Sequence, residues 1–167
     1  MTTENWTTTA TPALELRRVH IRDLANVVQL ERRSFGREAW GWTSFLIGFA
    51  FGSIFLQATR GDEMLGFVLA QARRATGVTW ILNIAVDPDQ RNQGIGRALM
   101  LAVEAEAATP RLRLTVRVDN PAARHLYRSL GYEEVGLRRG YYGRGRDGME
   151  MEKRSTPHDS HQELPHE

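Results

Sequence analysis

The sequence predicts one α/β domain in which a single mixed β-sheet is covered by helices. A length of 167 residues favours one domain with one buried core. Along the chain, segments with strand-like periodicity alternate with segments of helical periodicity, which is the order expected for a sheet with helices packed on it. The composition, with 41% hydrophobic and 25% charged residues, is that of an ordinary globular protein.

The two ends of the chain are expected to lie outside this domain. Residues 1–13 are rich in threonine and show no periodicity, so they predict a flexible tail. Residues 155–167 are polar and predict a disordered tail, whose histidines fit no defined metal site. The folded domain is therefore expected to cover residues 14–154, with no bound metal.

Composition disfavours several classes of protein. The absence of cysteine excludes disulfides, thiolate metal sites and cysteine nucleophiles. No apolar run is long enough to span a bilayer, and the first residues lack the pattern of a secretory signal, so we expect a cytoplasmic protein without membrane association. The formal net charge is +2 and the arginines are interleaved with acidic residues, so direct nucleic-acid contact is not expected.

The first half of the domain predicts strands and helices in alternation. Residues 14–19 predict a strand, and Asp23 is a candidate N-cap for the helix that follows it. Residues 42–49 predict a second, short helix. Residues 53–59 and 64–73 predict two strands of a hairpin, because a polar turn containing glycine separates two apolar segments.

The middle of the domain predicts a central strand, a loop and a helix. Residues 78–86 are nearly all apolar, as in a strand buried on both faces, and Asp87-Pro88 ends the strand. The helix that begins at Gly94 has apolar residues at spacings of three and four. Residues 111–118 alternate polar and apolar side chains, which predicts a half-buried strand.

The last predicted elements are a helix and two strands. Asn120 is the candidate N-cap of the helix, Pro121 occupies its first turn, and Gly131 marks its end. Residues 133–139 and 148–153 predict two strands that flank a loop rich in glycine and arginine.

The loop before the middle helix, residues 91–96, carries the clearest functional signal. A glycine-containing turn at a helix N-terminus exposes backbone N–H groups that have no helical partner, and the helix dipole favours an anion there. Gly94 and Gly96 leave room for a phosphate to approach the backbone. The pattern is neither a nucleoside-triphosphate P-loop nor the three-glycine dinucleotide fingerprint. It predicts a pyrophosphate site, and the alternative is a tight turn that needs its glycines only for geometry.

Two motifs resemble the GNAT acetyltransferase superfamily. Residues 84–96 resemble its coenzyme A loop, and residues 116–132 resemble its second signature, with the likeness extending over residues 14–154. The resemblance implies the GNAT fold, a mixed and mostly antiparallel sheet of about six to seven strands with helices on both faces. It also implies acetyl-CoA as the acetyl donor.

Three further passages resemble the RimI-type branch of this superfamily, whose members acetylate the N-terminal amine of a ribosomal protein. They are residues 31–45, 82–89 and 138–142. This resemblance implies an N-acetyltransferase that acts on a peptide or protein N-terminus, with a ribosomal protein as the candidate partner. It says nothing about the oligomeric state.

The resemblance also implies a set of site residues. The pantetheine arm would bind backbone groups of Ile84, Ala85 and Val86. The pyrophosphate would be held by Arg91, Asn92, Gln93, Gly94, Ile95, Gly96 and Arg97, with Asn120 adding a hydrogen bond to the cofactor. The catalytic residue would be Tyr127, which would protonate the leaving thiolate. The substrate would contact Phe35, Tyr141 and Tyr142.

Each of these side chains also has an ordinary structural interpretation. Asn120 is equally suited to be a helix N-cap, and Tyr127 on an amphipathic helix suits a packed core position. Tyr141 and Tyr142 suit a half-exposed strand, on which only one of the two would face a substrate.

The chain departs from the family at the position of the general base. RimI-type enzymes carry a glutamate where this sequence has Thr115, and another position that relatives use is Trp80. A threonine hydroxyl does not accept a proton at neutral pH. We therefore expect an enzyme that orients an already neutral amine and releases its proton to water, with Glu31 and Glu38, from loops on the substrate side, as weaker candidate bases. The alternatives are an acetyltransferase for small amines and a non-catalytic acetyl-CoA-binding protein.

Overall fold

The computed structural model describes residues 12–36, 45–47 and 54–154. The strands of this part are β1 (Glu15–Arg18), β2 (Ile54–Arg60), β3 (Glu63–Arg73), β4 (Val78–Val86), β5 (Arg111–Arg117), β6 (Glu133–Arg138) and β7 (Gly148–Arg154). The longer helices are α1 (Leu24–Phe35), α2 (Ile95–Glu106) and α3 (Pro121–Ser129). Of the short helix predicted at 42–49, residues 45–47 are helical and the rest lie outside the described residues.

The seven strands form one sheet in the order β1-β2-β3-β4-β5-β7-β6. All neighbours pair antiparallel except β4 and β5, which are parallel. The prediction of a mixed, mostly antiparallel sheet of six to seven strands is therefore confirmed. Each observed strand begins and ends within about two residues of its predicted bounds, the accuracy usual for element ends.

Helices cover both faces of this sheet, as predicted. On one face, α2 and α3 bury Leu99 and Tyr127 against apolar side chains of β2 to β5 and β7. On the other face, α1 packs against β3 and β4, together with three buried aromatic rings whose centres lie 5.6–6.1 Å apart. Those rings belong to Phe45, Phe55 and Phe67. No helix in the described part of the chain is long and apolar enough to cross a membrane.

Asp23 precedes α1 as predicted, but its side chain does not cap that helix. Its Oδ2 accepts hydrogen bonds from the His20 backbone N–H at 2.9 Å, from Arg17 Nη1 at 2.9 Å and from Gln57 Nε2 at 2.7 Å. Burial by itself raises the pKa of this carboxyl, but the three hydrogen bonds outweigh it and lower the pKa to about 2. Asp23 therefore ties β1, β2 and the start of α1 together.

The parallel pair β4–β5 opens the sheet at its centre. The two strands pair only from Val78 to Ile81 and from Arg111 to Leu114. A register shift against β3 then places Leu82 in a β-bulge on β4, which bends a strand and increases its twist. Beyond this point β4 and β5 do not pair; β4 continues through a loop into α2, and β5 continues through a short turn into α3. The N-termini of α2 and α3 therefore lie at the open end of the split.

Candidate active site

A cavity of about 840 Å³ lies at the open end of the split between β4 and β5. Its walls come from the end of β4, the loop after it, the first turns of α2 and α3, and the end of α1. Of the residues predicted for the site, it is lined by Phe35, Ile84, Ala85, Val86, Arg91, Asn92, Gly94, Ile95, Gly96, Arg97, Asn120 and Tyr127. The predicted pyrophosphate loop and the predicted catalytic tyrosine thus share one cavity, although 30 or more residues separate them in sequence.

The loop at the start of α2 has the backbone of an anion site. Asn92 (φ 62°) and Gly94 (φ 78°) are both left-handed, a conformation that asparagine and glycine adopt most readily. No side chain caps α2, and its first α-helical hydrogen bond runs from the Ala98 N–H to the Gly94 carbonyl at 3.0 Å. The N–H groups of the first turn are therefore left for an anion.

The two glycines of this loop serve different purposes. A Cβ on Gly94 would meet nothing within 4 Å, so this glycine is needed for its positive φ. A Cβ on Gly96 would lie 3.3 Å from Leu126 Cδ2 of α3, so this glycine allows α2 and α3 to approach closely. The alternative of purely geometric glycines therefore holds in part, because helix packing needs Gly96 whether or not a phosphate binds.

A buried aspartate anchors the loop to α1. Asp87 is 3% exposed, and it accepts a hydrogen bond from the Asp89 backbone N–H at 3.0 Å. It also forms an ion pair with Arg33 of α1 at 2.7 Å. Ser34 Oγ, one residue further, lies 3.4 Å from the Val86 carbonyl oxygen that accepts its hydrogen bond. These contacts fix the distance between the end of α1 and the end of β4, which form two walls of the cavity.

The first turn of α3 forms the opposite wall. Asn120 is the N-cap, as predicted, since its Oδ1 accepts a hydrogen bond from the Ala123 N–H at 3.1 Å. Tyr127 is 6% exposed, and its ring meets that of Tyr132 edge to face with centres 6.1 Å apart. Burial raises the pKa of the Tyr127 phenol, and the nearby Tyr142 adds to this rise. The phenol is therefore protonated throughout the neutral range.

The paired tyrosines lie in turns of the β6–β7 connection, so the alternation expected of an extended segment does not apply. Tyr142 is half-buried and its hydroxyl donates to the Thr115 carbonyl oxygen at 2.7 Å. Burial raises the pKa of this phenol to about 12, with Tyr141 adding to the rise. Tyr141 is 55% exposed, and neither ring lines the cavity. The two tyrosines instead lie beside Thr115 of β5 and Gly148 of β7.

Thr115, at the position of the family's base, is in close contact with β7. A Cβ built on Gly148 would lie 2.6 Å from Thr115 Cγ2 and 3.2 Å from Tyr141 Cβ. The methyl group of Thr115 therefore points at β7, and the glycine is required for the space it leaves. Thr115, Tyr141 and Tyr142 converge at this point, so the missing carboxylate is replaced by a packed, neutral surface.

The two candidate replacement bases have different outcomes. Glu31 was expected in a loop, but it lies within α1 and is fully buried. Its Oε1 accepts a hydrogen bond from Asn83 Nδ2 at 2.7 Å, and it does not line the cavity. That expectation was wrong because the helical spacing of α1 turns Glu31 towards the sheet. Glu38 lies outside the described residues.

Besides the two tyrosines, one further predicted residue, Gln93, is not part of the cavity wall, and several wall residues were not predicted. Gln93 bonds with its side chain to Gln90 at 3.0 Å and to Arg60 at 3.3 Å instead. Arg117 and Asp119, which form an ion pair at 2.7 Å, do line the cavity. The other cavity residues that were not predicted are Ser34, Gln90, Ala122, Ala123, His125, Leu126 and Ser129. Except for Gln90, they lie within the passages 31–45 and 116–132 that resemble the family, but the sequence does not indicate which side chains of a passage face the cavity, because this depends on how separate elements pack.

The cavity suits a long, anionic and partly apolar ligand. Arg91, Arg97 and Arg117 lie in its wall against one acidic residue, Asp119, which is already paired. The end of β4 adds apolar side chains and, where β5 has diverged, backbone groups without a β5 partner. The wall thus combines anion-binding groups at the α2 N-terminus with an apolar and backbone-polar surface at the end of β4, and Tyr127 lies in the same cavity.

Comparison with known proteins places this architecture among acetyltransferases. The model of the acetyltransferase (GNAT) family matches residues 21–132. The [ribosomal protein bS18]-alanine N-acetyltransferase of Escherichia coli K12 is 37% identical over 125 residues, which cover 72% of this chain and 81% of that protein. The N-alpha-acetyltransferase RimI of Mycobacterium tuberculosis is 49% identical over 59 residues, covering 35% of this chain and 37% of that protein. The crystal structure of the E. coli ribosomal-protein-S18-alanine N-acetyltransferase superposes with a TM-score of 0.79 at 28% identity, covering 92% of this chain and all of that one.

Proposed function

The chain belongs to the GNAT acetyltransferase family and is an acetyl-CoA-dependent N-acetyltransferase, and we propose that its acceptor is the N-terminal α-amine of a protein. The observation that carries the proposal is the single cavity that joins the uncapped N-terminus of α2 to the buried phenol of Tyr127. The E. coli relative is named for alanine acetylation of ribosomal protein bS18. A ribosomal protein is therefore the first natural target to test.

Acetyl-CoA supplies an activated acetyl group as a thioester, and the cavity residues bind and orient it. The first-turn N–H groups of α2, together with Arg91 and Arg97, hold the pyrophosphate. The backbone of residues 84–86 binds the pantetheine arm, since β5 leaves this edge of β4 unpaired. The Asn120 amide nitrogen adds a donor, because the N-cap bond uses only its Oδ1.

Tyr127 holds the proton that the sulfur needs. In the transfer, the acceptor nitrogen bonds to the acetyl carbon while the carbon–sulfur bond breaks, and Tyr127 Oη gives its proton to the sulfur. The nitrogen loses one proton to water, and water returns one proton to the Tyr127 phenolate. Burial raises the pKa of Tyr127 and keeps the phenol protonated at neutral pH. The same water-poor surroundings disfavour a free thiolate and so raise the pKa of the leaving thiol. The pKa values of the proton donor and of the proton acceptor therefore shift in the same direction.

The acceptor amine needs no protein base in this scheme. A peptide α-amine has a reference pKa of about 7.7–8.0, so a useful fraction is neutral near pH 7.5. The Tyr142 phenol, with a pKa of about 12, does not accept a proton in this range. General-base assistance typically contributes about 10²–10⁴-fold, whereas orientation of the reactants contributes as much or more. We propose that the amine proton leaves to water beside Thr115.

We also propose that the protein acts in the cytoplasm. The sequence contains no cysteine, so its fold has no need of an oxidising compartment.

The proposal is tested by thiol release from acetyl-CoA with peptides that begin with Ala, Ser or Met, the same peptides with blocked N-termini, and a set of small amines. We expect turnover of the free peptides only. Turnover of small amines alone contradicts the proposed acceptor. Binding of acetyl-CoA without any turnover identifies a non-catalytic binding protein.

The role of Tyr127 is tested by a matched pair of variants. Tyr127→Phe keeps the edge-to-face ring contact but removes the proton, and we expect kcat to fall about 10²–10⁴-fold. Tyr132→Phe removes a hydroxyl from the partner ring, which does not line the cavity, and we expect kcat within a few-fold of wild type. Equal kcat values in the two variants contradict the proton transfer from Tyr127.

A further inference from the structure

A cluster of one tryptophan and three arginines lies on the sheet face that also carries Thr115. The Trp80 ring centre is 5.7 Å from the guanidinium carbon of Arg73 and 5.9 Å from those of Arg113 and Arg138. These residues come from β3, β4, β5 and β6, so only the assembled sheet brings them together. We call Arg73, Trp80, Arg113 and Arg138 the basic–aromatic patch.

The arginines of the patch point outward and the carboxylates that hold them lie beneath. Arg113 pairs with Glu150 at 3.0 Å and also with Glu152, and Arg138 Nε donates to Glu150 at 2.5 Å. The side chains of Glu150 and Glu152 are 9% and 13% exposed, whereas those of Arg113 and Arg138 are 28% and 48% exposed. What meets the solvent here is therefore guanidinium, oriented by buried acids.

Donors remain unused in this patch. Within the described part of the chain, the Arg138 side chain uses only its Nε, and the Arg73 side chain contacts Trp80 without forming a hydrogen bond or an ion pair. Stacking on an aromatic face orients a guanidinium without using its N–H groups. The patch thus presents fixed, unfilled donors whose natural ligand is a carboxylate.

The patch lies a short distance from the proposed site of acetyl transfer. Thr115 and Arg113 are two residues apart on β5 and share a face of the sheet, which corresponds to about 6.6 Å along the strand. Trp80 pairs with Arg113 across the β4–β5 ladder. An extended peptide advances about 3.3–3.6 Å per residue, so a chain whose amine lies beside Thr115 brings its second or third side chain to this patch.

We propose that the basic–aromatic patch selects acceptor peptides that carry aspartate or glutamate at the second or third residue. This inference rests on the proposed function, because it supplies the specificity of that same site. The argument is one of charge complementarity. Counting Arg111, four arginines of this face stand against the buried carboxylates of Glu150 and Glu152 and the exposed carboxylate of Glu133, which lies opposite Glu152.

The test uses the full chain and peptides that begin with alanine and are otherwise uncharged, with one aspartate placed at position 2, 3, 4 or 5. The matched peptides carry asparagine or arginine at the same position. We expect kcat/KM to be about fivefold higher for aspartate than for asparagine at position 2 or 3, and lower still for arginine. Added salt is expected to shrink the preference, because the patch is partly exposed.

A charge-reversal pair separates the patch from the rest of the surface. Arg73→Glu is expected to abolish the preference for aspartate while the asparagine peptides keep their kcat/KM. Arg74→Glu makes the same charge change one residue away, outside the patch, and is expected to keep the preference. Arg73 suits this test because its removal leaves no buried carboxylate without its partner.

The outcomes distinguish this inference from the proposed function. If free peptides are turned over equally with aspartate and asparagine, or if the preference lies at position 4 or 5, the inference is overturned and the proposed function stands. If Arg73→Glu lowers turnover of both peptide series alike, the patch has only a structural role. If no peptide is turned over, the proposed function and the inference fail together.

Discussion

Replacing Gly148 by alanine tests how closely β5 and β7 approach each other beside the proposed site. The added Cβ would lie 2.6 Å from Thr115 Cγ2 and 3.2 Å from Tyr141 Cβ. Contacts under about 3 Å require a shift of the backbone or of a neighbour. Overpacking of this kind typically costs about 1–3 kcal/mol. The φ of Gly148 is not in the left-handed region, so the strain comes from the contact alone.

A second substitution identifies the contact responsible. Thr115→Ser removes Cγ2, the closest atom, and keeps the hydroxyl, so it relieves the clash in the Gly148→Ala background. We expect the double variant to recover about 1 kcal/mol or more of the free energy of unfolding compared with the sum of the single variants. Independent sites add within about 0.3–0.5 kcal/mol, so a coupling of this size is measurable.

The assay is urea unfolding of the wild type, both single variants and the double variant, with kcat/KM measured in parallel. Gly148→Ala is expected to lower kcat/KM because the shift displaces Tyr141 and the loop that carries it. Additivity of the two unfolding free energies refutes the reasoning, since it would mean that the Thr115 methyl does not limit the space at Gly148.

Three further predictions concern the base, the cofactor loop and the fold. We expect kcat/KM to rise with pH through the pKa of the substrate amine, about 7.7–8.0, and a distinct lower pKa in the pH–rate profile contradicts a reaction without a protein base. Gly96→Ala gains about 1 kcal/mol of helix propensity but crowds Leu126, so we expect little change in Tm. Calorimetry is expected to show weaker binding of acetyl-CoA, and unchanged affinity contradicts this prediction. Because the folded pKa of Asp23 is lowered to about 2 from 3.8, its stabilisation is complete above pH 4 and is lost as the pH falls towards 2. Asp23→Asn is expected to cost about 2 kcal/mol at pH 7, and urea unfolding curves that fail to converge with those of the wild type near pH 2 contradict this.

The fold was largely predictable because its signals are local. Alternation of polar and apolar residues in Arg111–Arg117 reports a strand with one buried face, and that burial pattern is observed. Asn120 and Pro121 mark the start of α3 because capping and a fixed proline φ act within one turn. The side chain of Asp23 was predicted wrongly for the opposite reason. It bonds to Gln57, 34 residues away, and a cap signal contains no information about such a partner.

The site was predictable in its motifs but not in its shape. The strand–loop–helix pattern at Gly94 predicted a left-handed glycine before an uncapped helix, and both are observed, because positive φ and free N–H groups are local properties. Neither Arg117 nor His125 carried a signal of its own; Arg117 enters the site from the end of β5 and His125 from α3, through the packing of these elements around the cavity. The close approach at Gly96 and the convergence on Gly148 likewise depend on residues from distant elements.

The sequence by itself determined the order of strands and helices and the family, and it predicted the loop for the cofactor, because periodicity, caps, glycine conformations and short motifs extend over a few residues. Only the tertiary structure decided which side chains meet. Four features join residues that are far apart in the chain: the split between β4 and β5, the burial of Tyr127, the contact of Thr115 with Gly148, and the basic–aromatic patch around Trp80. The physical reason is that packing and charge depend on distances in space, which one strand or helix does not contain.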